Sequence, residues 1–402
     1  MASITFREIE GTSPRYWFLA GLIALFAALG LGAAYYMEHH GHIVTGMNNS
    51  VVWGMPHVFA VFLIVAASGA LNVASIASVF GKVMYKPLAP LSGLLAIALL
   101  GGGLTVLMLD LGRPDRLIVA MTYYNFKSVF AWNVVLYTGF FTIVAVYLWT
   151  MMERRMNNYS KAAGMAAFVW RLILTTGTGS IFGFLVARDA YNSALLAPMF
   201  IVLSFAYGLA IYLLVMIAAY TWSGRPLGDA VLNRLGRLLG VFVAAALYFA
   251  FVFHLTNLYF TKQHEVEKFI LLNGGIYTTL FWLGQIIIGG VVPMLILFNP
   301  KLRIARGLIV AACLAIIFGG LSQMYVTIIG GQAFPLDIFP GWQTRSAFFD
   351  GVVHQYTPSL PEIMLGVGGV AIALTIVIFG IKVLRFLPES LADSAVDPHA
   401  KA

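Results

Sequence analysis

The stretch Leu109-Asp110-Leu111-Gly112-Arg113-Pro114-Asp115-Arg116 closes an apolar run that carries no charged residue from Leu88 to Met108. A run of that length matches the roughly 20 apolar residues that cross a bilayer as a helix. Asp110 therefore sits at the end of a predicted membrane helix, where an ionisable group is costly and marks a functional site whose partner must be found. Outward from this stretch, the same pattern of long apolar runs and short polar links recurs along the whole chain.

The chain has 402 residues, of which 60% are hydrophobic and only 10% charged. It reads as an all-α integral membrane protein forming one polytopic domain over 1–402. Ten runs are long enough to span, near 16–37, 53–80, 88–111, 128–151, 164–187, 197–221, 238–260, 275–298, 306–329 and 362–384. Helices are required because the bilayer core offers the backbone no water to bond. Two four-helix bundles, spans two to five and six to nine, with one flanking helix at each end, are the expected arrangement. The segment 386–402 reads as a polar cytoplasmic tail. Leu31-Gly32-Ala33-Ala34 could pass for a signal-peptide cleavage site, but Glu8 and Glu10 precede the first run and its length suits a full span.

The formal charge of +8 would suggest nucleic acid in a soluble protein. Here the basic residues lie between apolar runs, where membrane orientation accounts for them. Alternate connecting segments hold fifteen and seven lysines and arginines, which predicts cytoplasmic termini and puts the Asp110 motif and the Gly330–Pro361 loop outside. The single cysteine, Cys313, excludes an intrachain disulfide and a thiolate-held iron–sulfur cluster or zinc site.

His57, Asp110 and His254 are predicted at similar depth in the outer third of their spans. His57 and Asp110 fall on consecutive antiparallel helices, so they are expected to meet. A histidine can hydrogen-bond a quinone oxygen while a buried carboxylate carries the accompanying proton. The structural alternative for Asp110 is an ion pair with Arg113 or Arg116 that ties down the helix end. His254 reads first as a packing residue, and second as a haem ligand opposite His57. Arg171 is expected to extend to the headgroups, and Glu38-His39-His40-Gly41-His42 reads as a solvated loop in preference to a metal site. Ala66, Ala70, Ala74 and Ser78 form a small-residue stripe for close helix approach. Gly101-Gly102-Gly103 suits tight packing as well, or else a flat ligand lying beside Asp110.

The run from Leu109 to Pro114, with Lys127-Ser128 and Trp132-Asn133 after it, resembles the NrfD/PsrC family of membrane subunits. The resemblance continues through Ala187-Arg188-Asp189-Ala190-Tyr191-Asn192, His254-Leu255-Thr256-Asn257, Gln323-Met324-Tyr325 and Gly331-Gln332. Within that family the sequence is most similar to the DsrP type of sulfur-metabolism complexes. The resemblance implies a quinone-reactive subunit in the bacterial inner membrane, with menaquinone or ubiquinone as substrate and no tightly bound haem or iron–sulfur cluster. It implies a periplasmic ferredoxin-like, DsrO-like iron–sulfur partner among other subunits. His57, Gly102, Gly103, Asp110 and Asn133 are the expected quinone-binding positions, with His57 and Asp110 catalytic. Arg113, Arg116, Arg188 and Tyr191 are expected at the outer mouth or the docking surface. Gln323 stands where some relatives have a basic residue, which weakens the case for a proton route through the second bundle. A ten-span secondary transporter remains the rival class, although such folds place their sites at the midplane in interrupted helices, and a purely structural anchor is the other.

Overall fold

A computed structural model describes residues 4–335 and 351–396. Arg345, Leu336 and His399, which the sequence places in the outer loop and the tail, lie outside the described residues. The described residues form an all-helical protein, without a β-strand among them. Ten helices are long and apolar enough to cross a membrane. They are α1 (Pro14–His40), α2 (Met55–Ser78), α3 (Val83–Leu109), α4 (Val129–Met152) and α5 (Arg154–Gly183), followed by α6 (Leu196–Ser223), α7 (Asp229–Tyr259), α8 (Ile276–Phe298), α9 (Arg306–Ala333) and α10 (Leu360–Val383). The largest departures from the expected limits are at α5, which starts at Arg154 rather than near 164, and α7, which starts at Asp229 rather than near 238. Both extensions are polar turns that continue a helix beyond its apolar run, and hydropathy does not register them.

Each of α2–α5 packs on the next, with α2 also touching α5, and α6–α9 repeat this pattern. The two groups meet where α2 packs on α6. A side chain on Gly69 or Gly208 would collide with the backbone of the facing helix, so these glycines set how closely α2 and α6 cross. The predicted small-residue stripe lies beside this crossing, with Ala66, Ala70 and Ala74 fully buried. At Leu71 the ladder of α2 is interrupted, and the Ser92 hydroxyl of α3 fills the gap. It donates to the Ala70 carbonyl at 2.6 Å and accepts from the Ala74 amide at 3.1 Å. Helix α10 covers α2 and α3, and α1 covers α10 in turn, their backbones meeting at Gly30 and Gly368.

Three expectations are corrected at this level. Gly102 and Gly103 offer no room to a flat ligand. A Cβ on Gly102 would strike the Gly369 carbonyl of α10, and one on Gly103 would lie 3.0 Å from the Ala60 carbonyl of α2. Arg171 does not reach the headgroups. It is 3% exposed and donates to the Ser68 carbonyl and to Asn72 Oδ1, with its guanidinium between the rings of Phe168 and Phe205. The segment after α10 is no loose polar tail through residue 396, because Phe386, Leu387, Leu391 and Val396 are buried. It pairs with the N-terminal segment at Phe6–Pro388 and with the α6–α7 link at Leu227–Leu391. Arg225 donates to the carbonyls of Arg7 and Glu8, so the two ends of the described chain are tied together.

Candidate functional site

Pro56 starts α2 in its first turn, where a missing N–H leaves no intrahelical bond unmade. The next residue, His57, therefore sits at the end of α2 that faces the C-terminus of α3. Asp110 caps α3, and Gly112 follows in a left-handed turn (φ 70°) that takes the chain away from the helix. The consequence is a contact between Nδ1 of His57 and Oδ2 of Asp110 at 2.9 Å. The Asp110 side chain is 1% exposed and the His57 side chain 22% exposed. The two groups are in close contact, yet their alignment falls short of hydrogen-bond geometry, and among the described residues neither carboxylate oxygen has a donor. A buried carboxylate ordinarily has its lone pairs satisfied, so Asp110 is under-served by its own protein.

The arginines of the motif do not supply that partner. Arg113 forks onto Asp115 instead, at 3.0 and 2.9 Å, and both side chains are exposed. Hydrogen bonding to Arg113 holds the Asp115 carboxyl below the ordinary carboxylate range. Arg116 is exposed. The helix-end ion pair offered as an alternative for Asp110 is thus made by Asp115.

Trp53 forms the other wall. Its ring stacks at 6.1 Å on His57 and 6.4 Å on Tyr191, and it meets Phe130 and Phe182 at an angle. Composition gave Trp53 no distinguishing mark, because a tryptophan at a helix entrance reads as an interface residue. What positions it comes from α9. Gln332 accepts from the amides of Val52 and Trp53 through Oε1 and donates to the Trp53 carbonyl through Nε2. Arg188 reinforces this junction by donating to the carbonyls of Gln332 and Ser50, at 2.8 Å each. Tyr191 is 2% exposed and donates its hydroxyl to the Ile328 carbonyl, so it is an internal strut and not a docking residue. Burial pushes its phenol well above the ordinary tyrosine value.

Asn133 is buried in α4 and donates to the carbonyls of Val129 and Gly177, the second of these in α5, while its Oδ1 lacks a donor. Its hydrogen bonds run within α4 and to α5, not to His57 or Asp110. His254 has a hydrogen-bond partner, as the packing reading allows. Its Nδ1 lies 2.7 Å from Oε2 of Glu267, which is fully buried and also accepts from Asn257 at 2.8 Å. Glu267 could not be singled out beforehand, since it lies in the polar segment Lys262-Gln263-His264-Glu265-Val266-Glu267-Lys268 that reads as a solvated loop. His39 and His40 belong to the end of α1, where they stack on Tyr35 and Tyr36. Among the described residues no group of three or more His, Cys, Asp or Glu is placed to hold a metal ion.

The family model described as "Polysulphide reductase, NrfD" matches residues 43–336, which includes α2 to α9 and every residue of the His57 site. The chain belongs to the NrfD family. Among NrfD relatives, the "Hdr-like menaquinol oxidoreductase integral membrane subunit" of Archaeoglobus fulgidus is 30% identical, over 98% of this chain and all of that one. The "Menaquinone reductase, integral membrane subunit" of Nitratidesulfovibrio vulgaris is 22% identical over 91% of each chain. The C-chain of the polysulfide reductase of Wolinella succinogenes is 24% identical, over 71% of this chain and 96% of its own. The NrfD match leaves α1 and α10 outside its limits, so the pair that packs on the edge of α2 and α3 is an addition to the matched region.

Proposed function

We propose that this chain is the quinone-reactive membrane subunit of an electron-transfer complex, with His57 and Asp110 as its reacting pair. The observation that carries the reading is the buried Asp110 carboxylate, 2.9 Å from a partly exposed histidine and without a hydrogen-bond donor among the described residues. The quinone class of substrate is supported by relatives whose names specify menaquinol or menaquinone. Such a substrate supplies oxygens that gain or lose protons as electrons move. Asp110 then holds or accepts the proton, while His57, oriented through its Nδ1, presents the rest of its ring to a substrate oxygen. Trp53 and Phe130 give the ring an apolar wall, and Gln332 keeps Trp53 in place.

In this reading electrons pass between the quinone and an iron–sulfur subunit docked on the outer face, of the DsrO-like periplasmic type, and protons exchange on that side. The complex belongs to sulfur metabolism, as in the DsrP branch, and a polysulfide reductase component among the relatives supports this. The membrane is the cytoplasmic membrane with both termini inside, the orientation favoured by the distribution of lysine and arginine. The subunit itself carries no haem, so the purified protein should lack a Soret band. The deciding experiment is quinol-linked electron transfer by the assembled complex with Asp110→Asn. Turnover at the unmodified rate would remove Asp110 from the reaction, whereas loss of turnover in a complex that still assembles supports its role.

A further inference from the structure

The first turn of α2, which carries His57, has no cap from its own neighbourhood. Gly54 stands at the N-cap and has no side chain to offer. Pro56 lacks an N–H, and the amides of His57 and Val58 turn back to the Gly54 carbonyl, at 3.1 and 3.4 Å. The Met55 amide is the donor left over at this helix start. It is served from 301 positions away, by the Tyr356 hydroxyl at 2.7 Å.

Tyr356 is fixed in turn by Glu362, in the first turn of α10. Its hydroxyl donates to Glu362 Oε1 at 2.7 Å, and the amides of Gly46 and Ser359 donate to Oε2 at 2.7 and 2.8 Å. Glu362 is fully buried with three donors, whereas Asp110 has none among the described residues. The carboxylate also abuts the start of α2, since a Cβ on Gly54 would fall on Glu362 Oε1. That is the positive end of the helix, where negative charge is favourable. Packing of α10 does not call for this charge. Farther along the helix Gly366 meets the Phe59 ring and Gly369 meets Val106, and apolar contacts of that kind join helices without the cost of burying a carboxylate. What Glu362 adds is directed hydrogen bonds that tie α10 and the Gly46 turn to the helix start bearing His57.

We infer that Glu362 and Tyr356 are positioning residues for His57, fixing the first turn of α2 so that the imidazole stays in register with Asp110 and the substrate. The inference rests on the function proposed above and extends its site to a helix outside the matched region 43–336. Neither residue exchanges a proton with the substrate. Their effect passes through the backbone of Met55, two residues before His57.

Steady-state turnover of the assembled complex with quinol tests the inference, with His57→Gln measured alongside. Tyr356→Phe removes the hydroxyl that caps Met55, and kcat should fall about tenfold or more, as small misplacements of a reacting group do. KM should stay within about twofold, because Gln332 still holds the wall around Trp53. Glu362→Gln keeps an acceptor for the two amides and a partner for the Tyr356 hydroxyl, so it should retain most of kcat. Glu362→Leu should behave as Tyr356→Phe does. Gly380→Ala crowds Leu94 at the far end of α10, controls for loosening of that helix, and should leave kcat unchanged. Parent kcat in Tyr356→Phe, a rise in KM alone, or an equal fall in Gly380→Ala overturns the positioning role and leaves the proposed function standing. Full turnover in His57→Gln removes the proposed function, and the inference with it.

Discussion

Asp110 Oδ2 lies 2.9 Å from His57 Nδ1, and among the described residues no group offers this buried carboxylate a hydrogen bond of good geometry. The pair joins the start of α2 to the end of α3, so it is local in sequence by membrane-protein standards and depends little on the rest of the fold. Asp110→Asn keeps the shape and removes the proton-carrying group. Positioned acid–base groups contribute roughly 10²–10⁴ in rate, so turnover with quinol should fall by at least about 100-fold. His57→Gln should have an effect of similar size, and the double variant little more, because the residues act as a unit. Quinol-linked turnover of the assembled complex measures this, with co-purification of the partner subunits as the control for assembly.

Gln332 sets the position of Trp53 from far away in the sequence, with an Oε1 that is 2.9 and 3.0 Å from the Val52 and Trp53 amides. Gln332→Leu leaves those amides without an acceptor, at a cost of about 1–3 kcal/mol if they stay buried. The expected result is a rise in the KM for quinol with a smaller change in kcat, together with altered tryptophan fluorescence. Gln332→Glu keeps the acceptor but sets an oxygen against the Trp53 and Ile328 carbonyls in place of the Nε2 donor, so it should not recover the affinity. Unchanged KM in the leucine variant would show that Trp53 is held without Gln332.

Gly69 and Gly32 give a contrast in membrane packing. A Cβ on Gly69 would fall on the Ser204 carbonyl, whereas one on Gly32 meets nothing within 4 Å. Gly69→Ala should therefore force α2 and α6 apart, with a loss of about 1–3 kcal/mol or more for overpacking. Gly32→Ala should be neutral. Thermal unfolding of the two purified variants in one detergent makes the comparison.

Tyr356, in the segment before α10, donates to Glu362 at 2.7 Å. Burial chiefly, and then this hydrogen bond and the charge of Glu362, raise the phenol well above its ordinary value of 10.0. A raised value in the folded state means that the protonated phenol stabilises the fold fully below the unfolded value. That stability is lost as pH rises from about 10 towards the folded value. The thermal midpoint should fall above pH 10 in the parent protein and fall less steeply in Tyr356→Phe. Midpoints measured from pH 8 to 11 test the sign, and identical slopes would remove Tyr356 as a contributor.

The amino-acid sequence by itself determined the all-helical membrane class and the number of spans, because apolar runs of bilayer length leave a backbone no other structure. It also brought His57 and Asp110 together, since consecutive antiparallel helices set the start of the first beside the end of the second. Other contacts were decided only by tertiary structure. Gln332 reaches Trp53 across 279 positions, and Glu267 enters the core from a stretch whose composition suits solvent. Arg171 finds carbonyl, amide and aromatic partners in place of headgroups, and the glycines beside Asp110 are filled by the backbones of α2 and α10. The physical reason is common to these cases. Hydropathy reports which segments leave water, while the partners of a buried polar group, and the space left beside a glycine, depend on which helices pack together.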